Sequence, residues 1–178
     1  MNPTTYYSDI TGQSYSANEF LHMLEKRVRK HLRVTLKFNP KQAYIVYQKN
    51  EVASHLLKYL FSSLFQSRLD ILFIDSSAGI SKEKYQNRIV ISDDILETFL
   101  AKKIRVFFQQ QKIEPILKTV IAPVQCVSIL ELNNYAKIKH LSKVSLPQTS
   151  EQDFISFVQD KYPQTKSSML KTFLFLEE

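Results

Sequence analysis

The sequence predicts an α/β fold in which helices cover a parallel sheet. Short apolar runs rich in β-branched and aromatic residues, such as 43–47 (AYIVY) and 69–75 (LDILFID), are typical of strands buried on both faces. Segments with apolar residues at helical spacing, such as 52–66, alternate with these runs. This alternation favours parallel strands connected by helices that cross over the sheet.

The first elements precede the strand at 43–47. Residues 1–15 are polar, with scattered tyrosines and no periodicity, and we expect a flexible N-terminal arm there. Ser16 and Glu19 have the spacing of a capping box, which predicts the start of a helix. The buried face of this helix should consist of Leu21, Leu24, Val28 and Leu32. A turn at Asn39-Pro40 closes the segment.

The later elements follow the strand at 69–75 and a polar loop around Gly79. We expect, in order, a strand, a long helix, a strand, a helix and two C-terminal amphipathic helices, at 88–91, 95–110, 116–124, 128–140, 151–162 and 167–176. The predicted organisation is an arm, an α/β domain and a C-terminal helical extension, at residues 1–15, 16–145 and 146–178.

Composition excludes several classes of site. The only glycines are Gly12 and Gly79, and neither is placed to let a strand-to-helix loop approach a phosphate closely. Cys126 is the only cysteine, so these 178 residues hold no disulfide, cysteine-based zinc site or iron–sulfur cluster of their own. The absence of an apolar run of membrane-spanning length and of a signal-peptide core predicts a cytosolic protein with no membrane contact.

The order of segments resembles the PP-loop ATPase superfamily, in particular the enzymes that thiolate tRNA. In these enzymes a basic helix and a strand precede Ser-Gly-Gly-x-Asp-Ser and a helix. Here Gln48, Lys49, Asn50 and Glu51 occupy the loop position, and Asp93-Asp94-Ile95-Leu96-Glu97-Thr98 is close to their Asp-Asp-x-x-Glu-Thr segment. The resemblance implies an adenine nucleotide alpha hydrolase-like fold. The connection between Asp75 and Arg88 is short for a crossover between parallel strands, so we expect this fold to be trimmed by one strand–helix unit at that point.

The C-terminal stretch from Phe154 through Tyr162-Pro163-Gln164-Thr165 to Lys171-Thr172 resembles the cytoplasmic tRNA 2-thiolation protein 2 family. That resemblance implies the non-catalytic subunit of a heterodimer that thiolates the wobble uridine. The implied partners are a catalytic PP-loop subunit, tRNA and, through the catalytic subunit, a ubiquitin-related sulfur carrier. No cofactor, metal or catalytic residue is expected in this chain.

The loop at Gln48–Glu51 departs from the family pattern, because Lys49 and Asn50 replace both glycines. Their side chains should block close approach of a phosphate, and the carboxylate of Glu51 should repel it. We therefore interpret the loop as an ordinary strand-to-helix turn and a degenerate nucleotide site. Asp93 and Asp94 allow two interpretations: they either belong to that degenerate site, or Asp94 and Glu97 form a capping box at a helix start, which we favour.

A cluster of cations lies on the first predicted helix at Lys26, Arg27, Arg29, Lys30 and Arg33, and Lys37 and Lys41 extend it. The formal net charge of the chain is +7. The cluster is either a solvated helix face or a surface for tRNA phosphates, whose contacts provide affinity independent of sequence. Three functions remain open: a pseudo-enzyme scaffold that helps to bind tRNA, a stand-alone nucleic-acid-binding adaptor, and an active ATP-dependent tRNA thiolase, which is the least favoured.

Overall fold

Strands and helices alternate along most of the chain. The computed structural model describes residues 4–34, 37–65, 69–75, 88–109, 120–162 and 165–175. The strands are β1 (Tyr6–Ser8), β2 (Gln13–Tyr15), β3 (Ala43–Gln48), β4 (Asp70–Asp75), β5 (Ile89–Ser92) and β6 (Val120–Ile121). The helices are α1 (Ala17–Val34), α2 (Glu51–Phe65), α3 (Leu96–Phe108), α4 (Ile129–Ile138), α5 (Ser150–Lys161) and α6 (Thr165–Phe175).

A four-stranded parallel sheet with the order β4-β3-β5-β6 forms the centre of the fold. β3 lies between β4 and β5, and its residues Tyr44, Ile45 and Val46 are buried. A strand with neighbours on both sides and helices on both faces has no solvent-facing position, which explains its continuous apolar sequence. The predicted α/β fold and the central place of this strand are confirmed.

Helices α1, α2 and α4 bury their apolar faces in the main core. Leu24, Val28 and Leu32 of α1 are buried as expected, whereas Leu21 is only partly buried and Phe20 completes the face. Glu19 accepts a hydrogen bond from the backbone N–H of Ser16 at 2.9 Å, as expected for the acidic member of a capping box.

The predicted flexible arm is wrong for residues 4–15. β1 and β2 form an antiparallel hairpin with Tyr6 paired to Tyr15. Gly12 lies in the left-handed region at φ 69° within its turn, a conformation that favours glycine. Ser8 is fully buried, and Asn134 of α4 donates a hydrogen bond to the carbonyl of Tyr7. The hairpin is ordered by contacts with a distant helix rather than by its own periodicity.

The C-terminal helices pack against α3. Ile155 of α5 is buried in a second apolar cluster with Leu96, Leu100 and Ile104 of α3, and Phe173 of α6 packs against it. The prediction that these helices pack on the domain is confirmed for Ile155, Leu170 and Phe173, whereas Phe154, which was also expected to be buried, is exposed. The loop around Gly79 and the first part of the strand expected at 116–124 lie outside the described residues.

The order in which the strands are added to the sheet changes direction at β3. From β3 the chain moves outward to β4, then returns past β3 to β5 and continues to β6. The carboxyl ends of β3 and β5 therefore border a topological switch point, the usual ligand crevice of an open α/β sheet. No helix among the described residues is long and apolar enough to cross a membrane.

Candidate functional site

The loop that follows β3 opens α2 at the switch point. Asn50 is placed immediately before α2, and its Oδ1 accepts a hydrogen bond from the backbone N–H of Ala53 at 3.0 Å. This is the geometry of a helix N-cap. The interpretation of the loop as a strand-to-helix turn agrees with this contact, and Glu51 is exposed on the first turn of the helix.

The carboxylate of Asp93 occupies the position at which this loop would otherwise face an anion. Its Oδ2 accepts hydrogen bonds from the backbone N–H groups of Lys49 at 2.8 Å and Asn50 at 2.7 Å, and from the hydroxyl of Ser54 at 3.2 Å. Asp93 follows β5, so its side chain bridges the two strands that border the switch point. The loop before α2 and the first turn of that helix thus direct their donors to an anion that belongs to the chain itself.

The capping box expected at Asp94 and Glu97 is wrong. Ile95 is the N-cap of α3 and makes no side-chain cap hydrogen bond. Asp94 forms an ion pair with Lys102 instead. Glu97 is buried and accepts hydrogen bonds from the backbone N–H of Ile129 at 2.8 Å and from Lys166 at 2.8 Å. Ile129 of α4 and Lys166 of α6 thus bind the Glu97 carboxylate, which therefore does not cap the start of α3.

A buried polar network joins both ends of the described chain to the carboxyl edge of the sheet. Nζ of Lys166 contacts Oε1 of Glu97 at 2.8 Å and Oδ2 of Asp9 at 3.3 Å. The hydroxyl of Ser128, the N-cap of α4, donates to Asp9. Burial raises the pKa of Glu97, an effect that the charge of Lys166 opposes. Asp9 of the hairpin and Lys166 of α6 thereby contact residues at the starts of α4 and α3, the helices that follow β6 and β5.

Arg27 differs from the other cations of α1. Its Nη1 lies 2.6 Å from Oε2 of Glu131, whose side chain is fully buried, and Ser8 donates to the other oxygen of that carboxylate. Burial raises the pKa of Glu131, and the guanidinium opposes the shift. Arg27 therefore holds α1, α4 and the hairpin together, and its charge is neutralised within the fold.

The remaining cations of α1 face solvent. Lys26, Arg29, Lys30 and Arg33 are exposed and lie on adjacent positions of one helix face, which we call the cation stripe. Within it, Arg29 forms an ion pair with Glu25 at 2.9 Å. Lys37 and Lys41, in the connection from α1 to β3, are also exposed. Six of the seven predicted cations are thus available to a partner.

Cys126 and the histidines do not form a recognisable catalytic or metal site. Cys126 is buried, and burial raises the pKa of its thiol to about 12, which leaves it protonated at neutral pH. His31 is buried and contacts Gln125 at 3.1 Å. Within the described ranges, no group of three or more histidine, cysteine or acidic residues is placed to hold a metal ion.

The fold is that of a known class of RNA-modifying enzyme. The structure is similar to the U34-tRNA thiolase NcsA from Methanococcus maripaludis with its [4Fe-4S] cluster, at a TM-score of 0.72 and 11% sequence identity, over 97% of this chain and 84% of that one. The chain has the fold of a PP-loop tRNA thiolase. Its sequence matches no protein-family model and no curated protein.

Neither the [4Fe–4S] cluster of that thiolase nor a nucleotide pyrophosphate fits the residues of this chain. A [4Fe–4S] cluster is held by several cysteine thiolates, and here a single buried thiol donates to the carbonyl of Pro123. A nucleotide pyrophosphate needs the donors of a glycine-rich loop and helix start, and here Asp93 accepts hydrogen bonds from those donors. Sequence reasoning missed this role of Asp93, because no local spacing indicates a contact across 43 residues.

Proposed function

We propose that this chain is the non-catalytic, pseudo-enzyme subunit of a tRNA 2-thiolation complex that acts on the wobble uridine. It scaffolds a catalytic PP-loop subunit in a cytoplasmic heterodimer and contributes to tRNA binding. A ubiquitin-related sulfur carrier reaches the complex through the catalytic partner. The thiolase-like fold supports the connection to tRNA thiolation, and the state of the nucleotide crevice supports the non-catalytic role.

One observation carries the proposal: the Asp93 carboxylate accepts the hydrogen bonds of Lys49, Asn50 and Ser54 at the switch point. A phosphate placed there would meet a fixed negative charge at the distance of direct contact, and Coulomb repulsion at that distance is strong in a partly buried site. The loop side chains add a steric barrier, since a phosphate-binding loop needs backbone without Cβ atoms. The hydrogen bonds of Asp93 therefore stabilise the crevice in a form that disfavours the binding of ATP.

The cation stripe supports a role in tRNA binding. Lys26, Lys30 and Arg33 are exposed at helical spacing, and Arg29 is paired with Glu25 on the same helix. Exposed ion pairs of this kind are weak, so the guanidinium of Arg29 remains able to contact a phosphate. A polyanion that contacts several such cations gains affinity through release of counterions. We assign Lys37 and Lys41 to the same surface.

An aromatic patch at the C-terminal end of α3 and on the middle of α5 supports a protein partner. Phe107, Phe108, Phe154 and Phe157 are exposed by 72%, 66%, 41% and 57%. The rings of Phe107 and Phe108 are 5.8 Å apart, and Phe108 and Phe154 are 6.0 Å apart. Large aromatic side chains that cluster in water are typical of protein interfaces. We propose that the catalytic subunit covers this patch.

The test is affinity purification of the tagged chain from its native cell, followed by identification of co-purified proteins and RNA. Recovery of a PP-loop protein with several cysteines, together with tRNA, is the expected result. The variant Phe108→Ser/Phe157→Ser should lose the protein partner, whereas the control Tyr7→Ser, at an exposed tyrosine of the hairpin, should keep it. Recovery of no PP-loop protein would contradict the proposal.

Two other functions make different predictions. An independent nucleic-acid-binding adaptor is favoured by the cation stripe alone, and it predicts recovery of RNA without a PP-loop protein. An active ATP-dependent thiolase predicts binding of Mg-ATP to the isolated chain. Calorimetric titration should show no ATP binding at micromolar concentrations, because the donors of the loop are engaged by Asp93.

A further inference from the structure

A groove separates the hairpin from α1. Its volume is about 450 Å³, within the range that pockets for small organic molecules occupy. The residues that line it come from the hairpin and from successive turns of α1, and they are Thr11, Tyr15, Glu19, His22, Met23, Lys26, Arg27 and Lys30. The hairpin, which holds one wall of the groove, is fixed to α4 through Tyr7 and Ser8.

The wall on the hairpin side presents an immobilised aromatic ring. The hydroxyl of Tyr15 donates to Oε1 of Gln13 at 3.0 Å and lies 3.1 Å from the hydroxyl of Thr11, from which it can accept. The Tyr15 ring packs edge-on against Phe20 with centroids 6.5 Å apart. A ring held in this way loses little side-chain entropy when a flat ligand stacks on it. Met23 adds polarisable apolar surface on the opposite wall.

The rim of the groove is positive. Lys26 and Lys30 of the cation stripe line it and are exposed. The lining carboxylate of Glu19 accepts hydrogen bonds from the N–H and hydroxyl of Ser16, which lower its pKa and keep it ionised, so it offsets one of the two lysine charges and leaves the rim with a net positive charge. Arg27 is neutralised by Glu131 and contributes shape rather than net charge. The charge of the rim is complementary to phosphate, and the interior is complementary to a planar apolar group.

We propose that this groove binds one unpaired nucleotide of RNA, with its base against Tyr15 and Met23 and its flanking phosphates at Lys26 and Lys30. The inference rests on the proposed tRNA-binding role. It adds that the RNA contacts Lys26 and Lys30 of the cation stripe through a single-stranded region. An aromatic platform beside cations is the usual means of binding single strands, because every base offers a face for stacking. A duplex keeps its bases inside the helix and contacts only the outer cations.

The test measures fluorescence anisotropy of the full chain with a short labelled single-stranded RNA and with the blunt duplex of the same sequence, over a series of salt concentrations. Tyr15→Leu should weaken single-strand binding about fivefold or more, the loss expected for one stacked base. The matched control Tyr7→Leu should not, and Tyr15→Phe should retain affinity because it keeps the ring. Duplex binding should not respond to Tyr15→Leu.

The lysines provide an independent measurement that leaves the hairpin intact. Lys26→Met with Lys30→Met keeps the aliphatic stems and should reduce the slope of log affinity against log salt by about 1.4, or 0.7 for each lost single-strand phosphate contact. Lys58→Met with Lys143→Met, at exposed positions off α1, should leave the slope unchanged. Equal effects of the two pairs, or of Tyr15→Leu and Tyr7→Leu, would overturn the groove site. Recovery of tRNA and of the PP-loop partner by those variants would then show that the proposed function stands without it.

Discussion

Lys166 of α6 and Glu97 of α3 form a buried ion pair, with 2.8 Å between Nζ and Oε1 and side-chain exposures of only 13% and 4%. The pair joins the C-terminal helix to the start of the helix that follows Asp93. A buried charge without its partner is costly, so this contact holds α6 in place more firmly than the apolar contacts of α6 alone would.

We predict that Lys166→Met destabilises the fold by about 3–5 kcal/mol at neutral pH, because it leaves the Glu97 carboxylate buried and unpaired. Burial already raises the pKa of Glu97, and loss of the ammonium raises it further. The folded state then binds a proton more readily than the unfolded state, so the stability of the variant should rise as pH falls through that raised pKa. Urea unfolding over a pH series measures this change in stability.

The double variant Lys166→Met/Glu97→Gln is the control, and it should recover most of the lost stability. Equal instability of the single and double variants would contradict the assignment of a buried Lys166–Glu97 ion pair.

Asp93 should behave as a resident anion. Asp93→Ala leaves the N–H groups of Lys49 and Asn50 without their acceptor and should cost about 1–3 kcal/mol. Millimolar sulfate should raise the melting temperature of this variant more than that of the unmodified chain, when compared with chloride at equal ionic strength. Asp94→Ala serves as the control, since it removes the neighbouring carboxylate, which pairs with Lys102 rather than with the N–H groups of the loop. Equal sulfate effects on both variants would refute the idea of an anion site.

Two arginines of α1 should separate stability from RNA binding. Arg27→Met should destabilise the fold by about 3–5 kcal/mol, because Glu131 is fully buried opposite it. Arg33→Met, at an exposed position, should change stability by less than about 0.5 kcal/mol but weaken tRNA binding at low salt. Thermal unfolding and filter binding distinguish the two. A stable Arg27→Met protein would contradict the buried pair.

His31 should make the fold sensitive to mild acid. Burial lowers its pKa to about 4, from 6.5 in an unfolded chain. The unfolded state therefore binds the proton first, and stability is fully present above pH 6.5 and decreases as pH falls toward about 4. The loss is on the order of 3 kcal/mol at 1.36 kcal/mol for each pH unit. His31→Gln should flatten this decrease, whereas the exposed His22→Gln should not. Parallel pH profiles for the two variants would show that His31 is not the group involved.

The central part of the fold was predictable because its signals are local. β3 is apolar on both faces, and the crossover helices have helical periodicity, so the sequence alone indicates a parallel sheet. The hairpin was not predictable in the same way. Ser8 contacts Glu131 across 123 residues, and the local sequence carries no trace of that contact.

The candidate site shows the same contrast between features with a local sequence signal and features that depend on long-range contacts. The cation stripe follows from helical spacing, and the position of Arg27 beside the buried Leu24 and Val28 offered a signal that its side chain turns inward. The capping-box prediction for Asp94 and Glu97 was wrong because a helix cap is a local preference worth only about 1 kcal/mol. The buried contacts of Glu97 with Lys166 and Ile129 outweigh that preference.

The contact between Asp9 and Lys166 spans 157 positions of the chain. During synthesis from the N-terminus, the hairpin emerges before α6, so Asp9 meets this cation only after the elements between them have been made. Contacts of such long sequence separation form late because the intervening loop must first be closed. The hairpin and the groove beside it should therefore be the last parts of the molecule to become resistant to protease, and docking of α6 should complete both in one step.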